Sequence, residues 1–143
     1  MSTVPPMATY VYKILETAKT NPRYLFPVPI PASHLFMLPP IDEKDGFVHM
    51  STATQLTGTL NKFYPSHEEV VLLKMDYKRL SAFKTVKWDK TSSGELFPHL
   101  HGYGIEGENV ESFKEVKRQL EFENSEGWAI ALDELKKEGW LAY

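Results

Sequence analysis

The sequence predicts an α+β fold: a single compact domain with a small, mostly antiparallel or split sheet flanked by helices. Three observations predict it. Residues 10–15 and 70–75 form two runs of β-branched, aromatic and aliphatic side chains, as strands require. Two other segments, one after Ser51 and one after Asn124, space their apolar residues at the helical period. The two kinds of segment are intermixed, without regular βαβ spacing or internal repeats.

Each element has its own signal. Residues 1–9 are small and polar and predict a short flexible N-terminus. Residues 10–15 read as a strand whose only charge is Lys13. Between residues 21 and 40 the chain holds Pro22, Pro27, Pro29, Pro31, Pro39 and Pro40, which predicts an extended, surface-wrapping connection. Phe26, Leu35, Phe36 and Met37 are expected to pin it to the body. Asp45-Gly46 signals a turn into a short strand at residues 47–50. Thr52 and Gln55 match a capping box, with Leu56, Leu60, Phe63 and Tyr64 on one face of the helix that follows and Pro65 as its stop. Residues 70–75 predict an inner strand buried on both faces. A turn at residues 76–80 should lead to a weaker strand at 81–88, and residues 97–105 to mixed strand and turn. Residues 110–122 fit strand and helix alike. Asn124 or Ser125 can cap a last helix carrying the stripe Trp128, Ala131, Leu132 and Leu135. Gly139 closes that helix and Trp140 folds back on it. Trp88 and the other tryptophans are expected to pack.

Composition excludes several classes. A chain of 143 residues with 42% hydrophobic and 24% charged residues can bury a core without staples. The absence of cysteine removes disulfides, thiolate nucleophiles and cysteine-ligated zinc, and fits a reducing, cytoplasmic setting. A net charge of −3 argues against DNA as the partner. No apolar run reaches the roughly 20 residues needed to cross a bilayer, so no membrane partner is expected. The oligomeric state is not legible.

Two segments carry the chemistry: Gly46-Phe47-Val48-His49-Met50-Ser51-Thr52 and Phe97-Pro98-His99-Leu100-His101-Gly102-Tyr103. On a strand, Phe47, His49 and Ser51 share one face, so His49 and Ser51 point together where the next helix begins. A helix start offers unpaired N–H groups to phosphates and carboxylates; alternatively, Ser51 and Thr52 only cap the helix and His49 bonds a nearby backbone group. His99 and His101 also share a face, a spacing that suits either a pocket wall or, with His49, a three-histidine metal site. Glu95 precedes this segment and is either a solvated carboxylate or one placed to accept a proton or steady an oxocarbenium-like centre. Tyr12 and Lys13 either line the same pocket or belong to the core. Phe97 and Tyr103 complete the candidate ligand-binding set with Ser51, Thr52, Gln55 and His101. Asp42, Glu43 and Asp45 read as a solvated acidic turn, and His34 and His67 as solvated loop residues.

In order along the chain, Val11-Tyr12-Lys13-Ile14, then Asp45 through Thr52 with Gln55, then Val71-Leu72-Leu73-Lys74-Met75-Asp76, then Phe97-Pro98-His99-Leu100 with Gly102 strongly resemble the small proteins grouped as domain of unknown function 952. The resemblance runs from about residue 11 to residue 110, making residues 10–110 the family core. Residues 111–143 are then a C-terminal extension with an amphipathic helix packed on the core. That family has been related to the ADP-ribosyltransferase superfamily through a strand carrying histidine, a hydrophobic residue and serine. A similar strand end occurs in RNA 2'-phosphotransferases, which use NAD. By this resemblance His49 and Ser51 contact the ribose or nicotinamide amide of NAD, Thr52 and Gln55 support the helix start, and His99 lies across the pocket. The chain departs from the family in having His101 where tyrosine is usual and in its long proline-rich segment. For the catalytic glutamate of many ADP-ribosyltransferases, Glu95 is the nominee.

The expected function is therefore an NAD- or nucleotide-processing, ADP-ribosyltransferase-like enzyme, with His49, His99 and Glu95 as catalytic candidates and NAD as the substrate rather than a resident cofactor. The alternatives are a non-catalytic module that binds a small molecule or nucleotide in the same pocket, and a histidine-ligated metal hydrolase.

Overall fold

The structure is a computed structural model and describes residues 8–102 and 104–143, together with the backbone but not the side chains of Asn124 and Ser125. Two three-stranded antiparallel sheets form the frame. In the first, β1 (Tyr10–Leu15) and β6 (Ser112–Lys117) flank the central β3 (Glu69–Asp76). In the second, β2 (Val48–His49) and β4 (Thr85–Lys90) flank β5 (Leu96–His101). A two-way backbone bridge joins the sheets: the Tyr12 and Ser51 amides donate to each other's carbonyls at 2.8 and 2.9 Å.

The continuous apolar run in β3 follows from its position between two cores. Val71, Leu73 and Met75 face the second sheet and meet Val48, Met50, Leu100 and Ile105. Val70 and Leu72 face the other way, toward α2 (Leu56–Phe63) and α4 (Asn124–Lys137), where Leu56, Leu60, Trp128, Ala131 and Leu132 are buried. Strand side chains alternate, so a strand with a core on both sides must be apolar throughout. The α4 stripe fills its expected place, but Phe63 is exposed rather than part of the buried face of α2. Glu123 occupies the N-cap position of α4; the expected caps Asn124 and Ser125 have side chains outside the described residues. Gly139 takes a left-handed φ of 83°, and the amides of Trp140 and Leu141 both return to the Leu135 carbonyl. Trp140 then rests 5.6 Å from the Tyr12 ring and donates to the Ser112 hydroxyl.

Two elements differ from expectation. The acidic residues expected in a solvated turn form α1 (Pro40–Asp45), started by proline at its first position and closed by Gly46 at φ 78°. The strand expected from residue 81 starts at Thr85, because Asp76 accepts a hydrogen bond from the Arg79 amide and caps α3 (Tyr77–Phe83). The ambiguous region 110–122 resolves as β6 followed by a turn, since β3 offers its free edge there.

The proline-rich connection is irregular apart from one 3-10 turn, Pro22–Tyr24. It docks by backbone bonds: Phe36 to Ile105, Gly107 to His34 and Glu108 to Ala32. Phe26, Phe36 and Met37 pack on the core as expected, whereas the Leu35 side chain is exposed. Of the N-terminal stretch, residues 1–7 lie outside the described residues. Thr9 is held by bonds to the Tyr143 carbonyl and the Tyr77 amide. Among the described residues no helix is long and apolar enough to cross a membrane.

Candidate functional site

The register of the second sheet sets the site. β2 and β5 pair so that His49 lies directly opposite His99, and their ring centroids are 5.3 Å apart. The Phe47 ring stacks on His99 at 4.3 Å and touches His49 at 4.6 Å and His101 at 5.3 Å. The shared faces expected from strand alternation are therefore real: Phe47 with His49, and His99 with His101.

Helix α1 supplies what the sequence reading missed. Asp42 is 2% exposed. One of its oxygens accepts from His49 Nδ1 at 2.6 Å, and the other pairs with Lys13 Nζ at 2.5 Å. Lys13 Nζ also donates to the His49 carbonyl at 2.9 Å. Burial alone would raise the Asp42 pKa; the His49 hydrogen bond and the Lys13 charge outweigh it and hold the carboxyl below its ordinary range. Burial conversely pushes the Lys13 ammonium down, with Asp42 opposing. Asp45, one turn further along α1, sits 3.0 Å from His49 Nε2. Both nitrogens of His49 thus face carboxylates.

His99 is held differently. Its Nδ1 lies 2.7 Å from Asp89 Oδ2, contributed by the neighbouring β4. Burial lowers its pKa, with Asp89 as the main opposing influence. Burial thus favours the neutral ring, which gives Nδ1–H to Asp89 and leaves Nε2 toward the cleft, without a hydrogen-bond partner among the described residues. His49 and His99 are thus oriented by separate carboxylates and differ in setting: both nitrogens of His49 face acidic oxygens, whereas only Nδ1 of His99 does.

A cleft of about 730 Å³ opens beside them. It gathers Lys13, His49, Ser51, Gln55, Glu95, Phe97 and His99 from the sequence-derived set. Gln55 closes the expected capping box by accepting from the Thr52 amide at 3.0 Å, and its side-chain nitrogen reaches Glu95 at 3.2 Å and the Leu96 carbonyl at 2.7 Å. Ser51 is buried and lies 3.3 Å from the Thr59 hydroxyl. Tyr12 borders the cleft, but its hydroxyl is committed to Ala142, and burial pushes its pKa up to about 12. Thr52 is buried at the helix start and His101 lies behind Phe47, both away from the cleft wall. Tyr103 lies outside the described residues. His67, expected to be solvated, lines the far end of the cleft and meets Glu16 at 3.3 Å. His34, expected likewise, packs edge-on against Phe36 at 4.9 Å. Among the described residues no group of three or more potential ligands is arranged to hold a metal.

Asp42 and Asp45 had a legible signal, since residues three apart share a helix face, but only once the turn is recognised as a helix. Asp89 had none, since the strand expected at residues 81–88 stops one residue short of it.

Residues 31–113 match the family described as protein of unknown function (DUF952). The chain belongs to this family. The matched stretch of this DUF952 protein holds Asp42, His49, Asp89 and His99; Lys13 precedes it and α4 follows it. The chain is also similar to protein CC0527 from Caulobacter crescentus. The crystal structure of that protein superimposes with a TM-score of 0.62 at 26% identity, over 77% of this chain and 88% of the other. Its solution NMR structure shows the same fold, with a TM-score of 0.58 at 23% identity over 78% and 88% of the two chains. No curated protein matches.

Proposed function

We propose that the cleft is the substrate site of an NAD- or nucleotide-processing enzyme of ADP-ribosyltransferase type. One observation carries the reading: two histidines, each oriented at Nδ1 by its own carboxylate, lie 5.3 Å apart beside a single cleft of about 730 Å³. That volume falls in the range of sites for nucleotide-sized ligands, about 300–1,000 Å³.

The roles follow from the contacts. Asp42 fixes the His49 ring, so Nε2 is aimed rather than free to turn. Its partner Asp45 is 36% exposed, and surface ion pairs contribute little; an oxygen of the ligand ribose can replace it. His99 Nε2 takes the proton from an acceptor hydroxyl as that oxygen bonds to the anomeric carbon and nicotinamide departs with the electrons of the C–N bond. Glu95, held by Gln55 at the cleft edge, faces the positive charge that develops on the ribose.

Incubating the protein with NAD and alcohol acceptors, followed by mass spectrometry, tests this. Nicotinamide should be released above the buffer rate, and His99→Gln should lower release at least about 100-fold, as loss of a general base does. NAD binding without any release would favour the second reading, a binding module. That reading draws on one observation: both His49 nitrogens are already satisfied by carboxylates.

A further inference from the structure

Helix α2 forms one wall of the cleft, and its third residue is a glycine. Gly58 is the sixth residue of a continuous helical stretch that begins with the 3-10 turn Ala53–Gln55 and runs through α2. Glycine is the poorest helix former after proline, so a helical glycine calls for a reason. The protein itself supplies none. Gly58 has no positive φ, and a Cβ built there meets nothing within 4 Å. Gly107, by contrast, is required by the fold, because its Cβ would lie 1.9 Å from the Pro31 carbonyl oxygen. The space in front of Gly58 is the cleft.

The neighbours on the same wall say what approaches. Thr59 follows directly, and Lys62 and Phe63 lie about one turn further along the helix; all three border the cleft. Phe63 leaves 56% of its surface exposed, with the Lys62 ammonium 5.2 Å from its ring centroid. The cleft has two lysines. Lys13 is taken by Asp42 and the His49 carbonyl, whereas Lys62 has no ion pair among the described residues. This wall therefore offers bare helix backbone, a half-exposed aromatic ring with the Lys62 ammonium over it, and a positive charge without an ion pair among the described residues, the complement of a planar ring bearing an anionic group.

We infer that Gly58 is a specificity-determining contact: the planar heteroaromatic ring of a nucleotide lies against the helix backbone there, beside Phe63, with its phosphate toward Lys62. This rests on the nucleotide reading of the cleft and adds the orientation of the ligand, with its ring at α2 and its reacting end at His49 and His99. A side chain at position 58 would fit the protein and occupy the place of the ring.

Gly58→Ala separates folding from binding, since alanine favours the helix. The intact chain, Gly58→Ala, Lys62→Ala and His49→Ala are melted and titrated calorimetrically with NAD, AMP and adenosine. Gly58→Ala should melt about 2–4 °C higher. It should also bind NAD and AMP at least about tenfold more weakly, as expected for a methyl group forced into an occupied contact. Lys62→Ala should weaken AMP more than adenosine. Gly58→Ala binding as tightly as the intact chain overturns the inference, while loss in His49→Ala alone leaves the nucleotide reading standing. If AMP and adenosine bind with this dependence on Gly58 and NAD does not, the inference holds and the NAD reading falls. If none of the three binds the intact chain, both fall.

Discussion

Asp42 organises the site at the scale of single residues. A nearly fully buried carboxylate is tolerated because Lys13 and His49 both engage it, and each of them needs it in return. Asp42→Asn keeps the volume, removes the charge and leaves the Lys13 ammonium buried without an opposite charge. Urea unfolding at neutral pH should show a loss of about 3–5 kcal/mol. The pH dependence has a definite sign. The folded pKa of Asp42 is below the ordinary value of 3.8, so its contribution is complete above that pH and is lost as pH falls through the folded value. The stability gap between the intact chain and Asp42→Asn should therefore close as the pH drops below about 3.8; a gap constant down to pH 2 would contradict the pairing. His99 acts in the same direction at higher pH. Burial favours its neutral ring, so the stability it gives is present above 6.5 and declines below.

At the scale of elements, the site depends on segments that carry little periodic signal. The proline-rich connection delivers α1, and with it Asp42 and Asp45, to the end of β2. It is tied down at Gly107, where the two backbones nearly touch. Gly107→Ala would drive a methyl group into the Pro31 carbonyl, which no rotamer change can relieve. We expect a loss of at least about 1–3 kcal/mol, read by urea unfolding, with any NAD binding weakened as α1 shifts. Wild-type stability in this variant would show that the connection is not docked as described. The elements with strong patterns were legible: β1, β3, the capped start of α2 and the stripe of α4 all stand where hydrophobic spacing puts them. The rest was decided by competition that spacing cannot register. Asp76 captured an amide and made a helix of residues expected as a turn and the start of a strand. Two prolines at the start of α1 turned an apparent acidic loop into a helix, and only its folded position buries Asp42.

At the scale of the whole molecule, the fold places two cores on opposite sides of one central sheet and leaves a cleft where β1, β2 and α2 meet. That His49, Ser51 and His99 share one cleft was legible, because strand alternation and the helix start place them together locally. The positions of Asp89, Glu16 and Gly58 beside them were not, because they come from strand pairing and cleft shape, which only the tertiary structure supplies. We propose that this cleft takes NAD or a related nucleotide at the His49–His99 pair. Calorimetric titration of NAD into the intact chain and into His49→Ala tests it most directly. Binding to the intact chain should be saturable and 1:1, and weakened at least about tenfold in a variant that still folds, because the oriented imidazole is gone. Absence of NAD binding to the intact chain, or undiminished binding to His49→Ala, would contradict it.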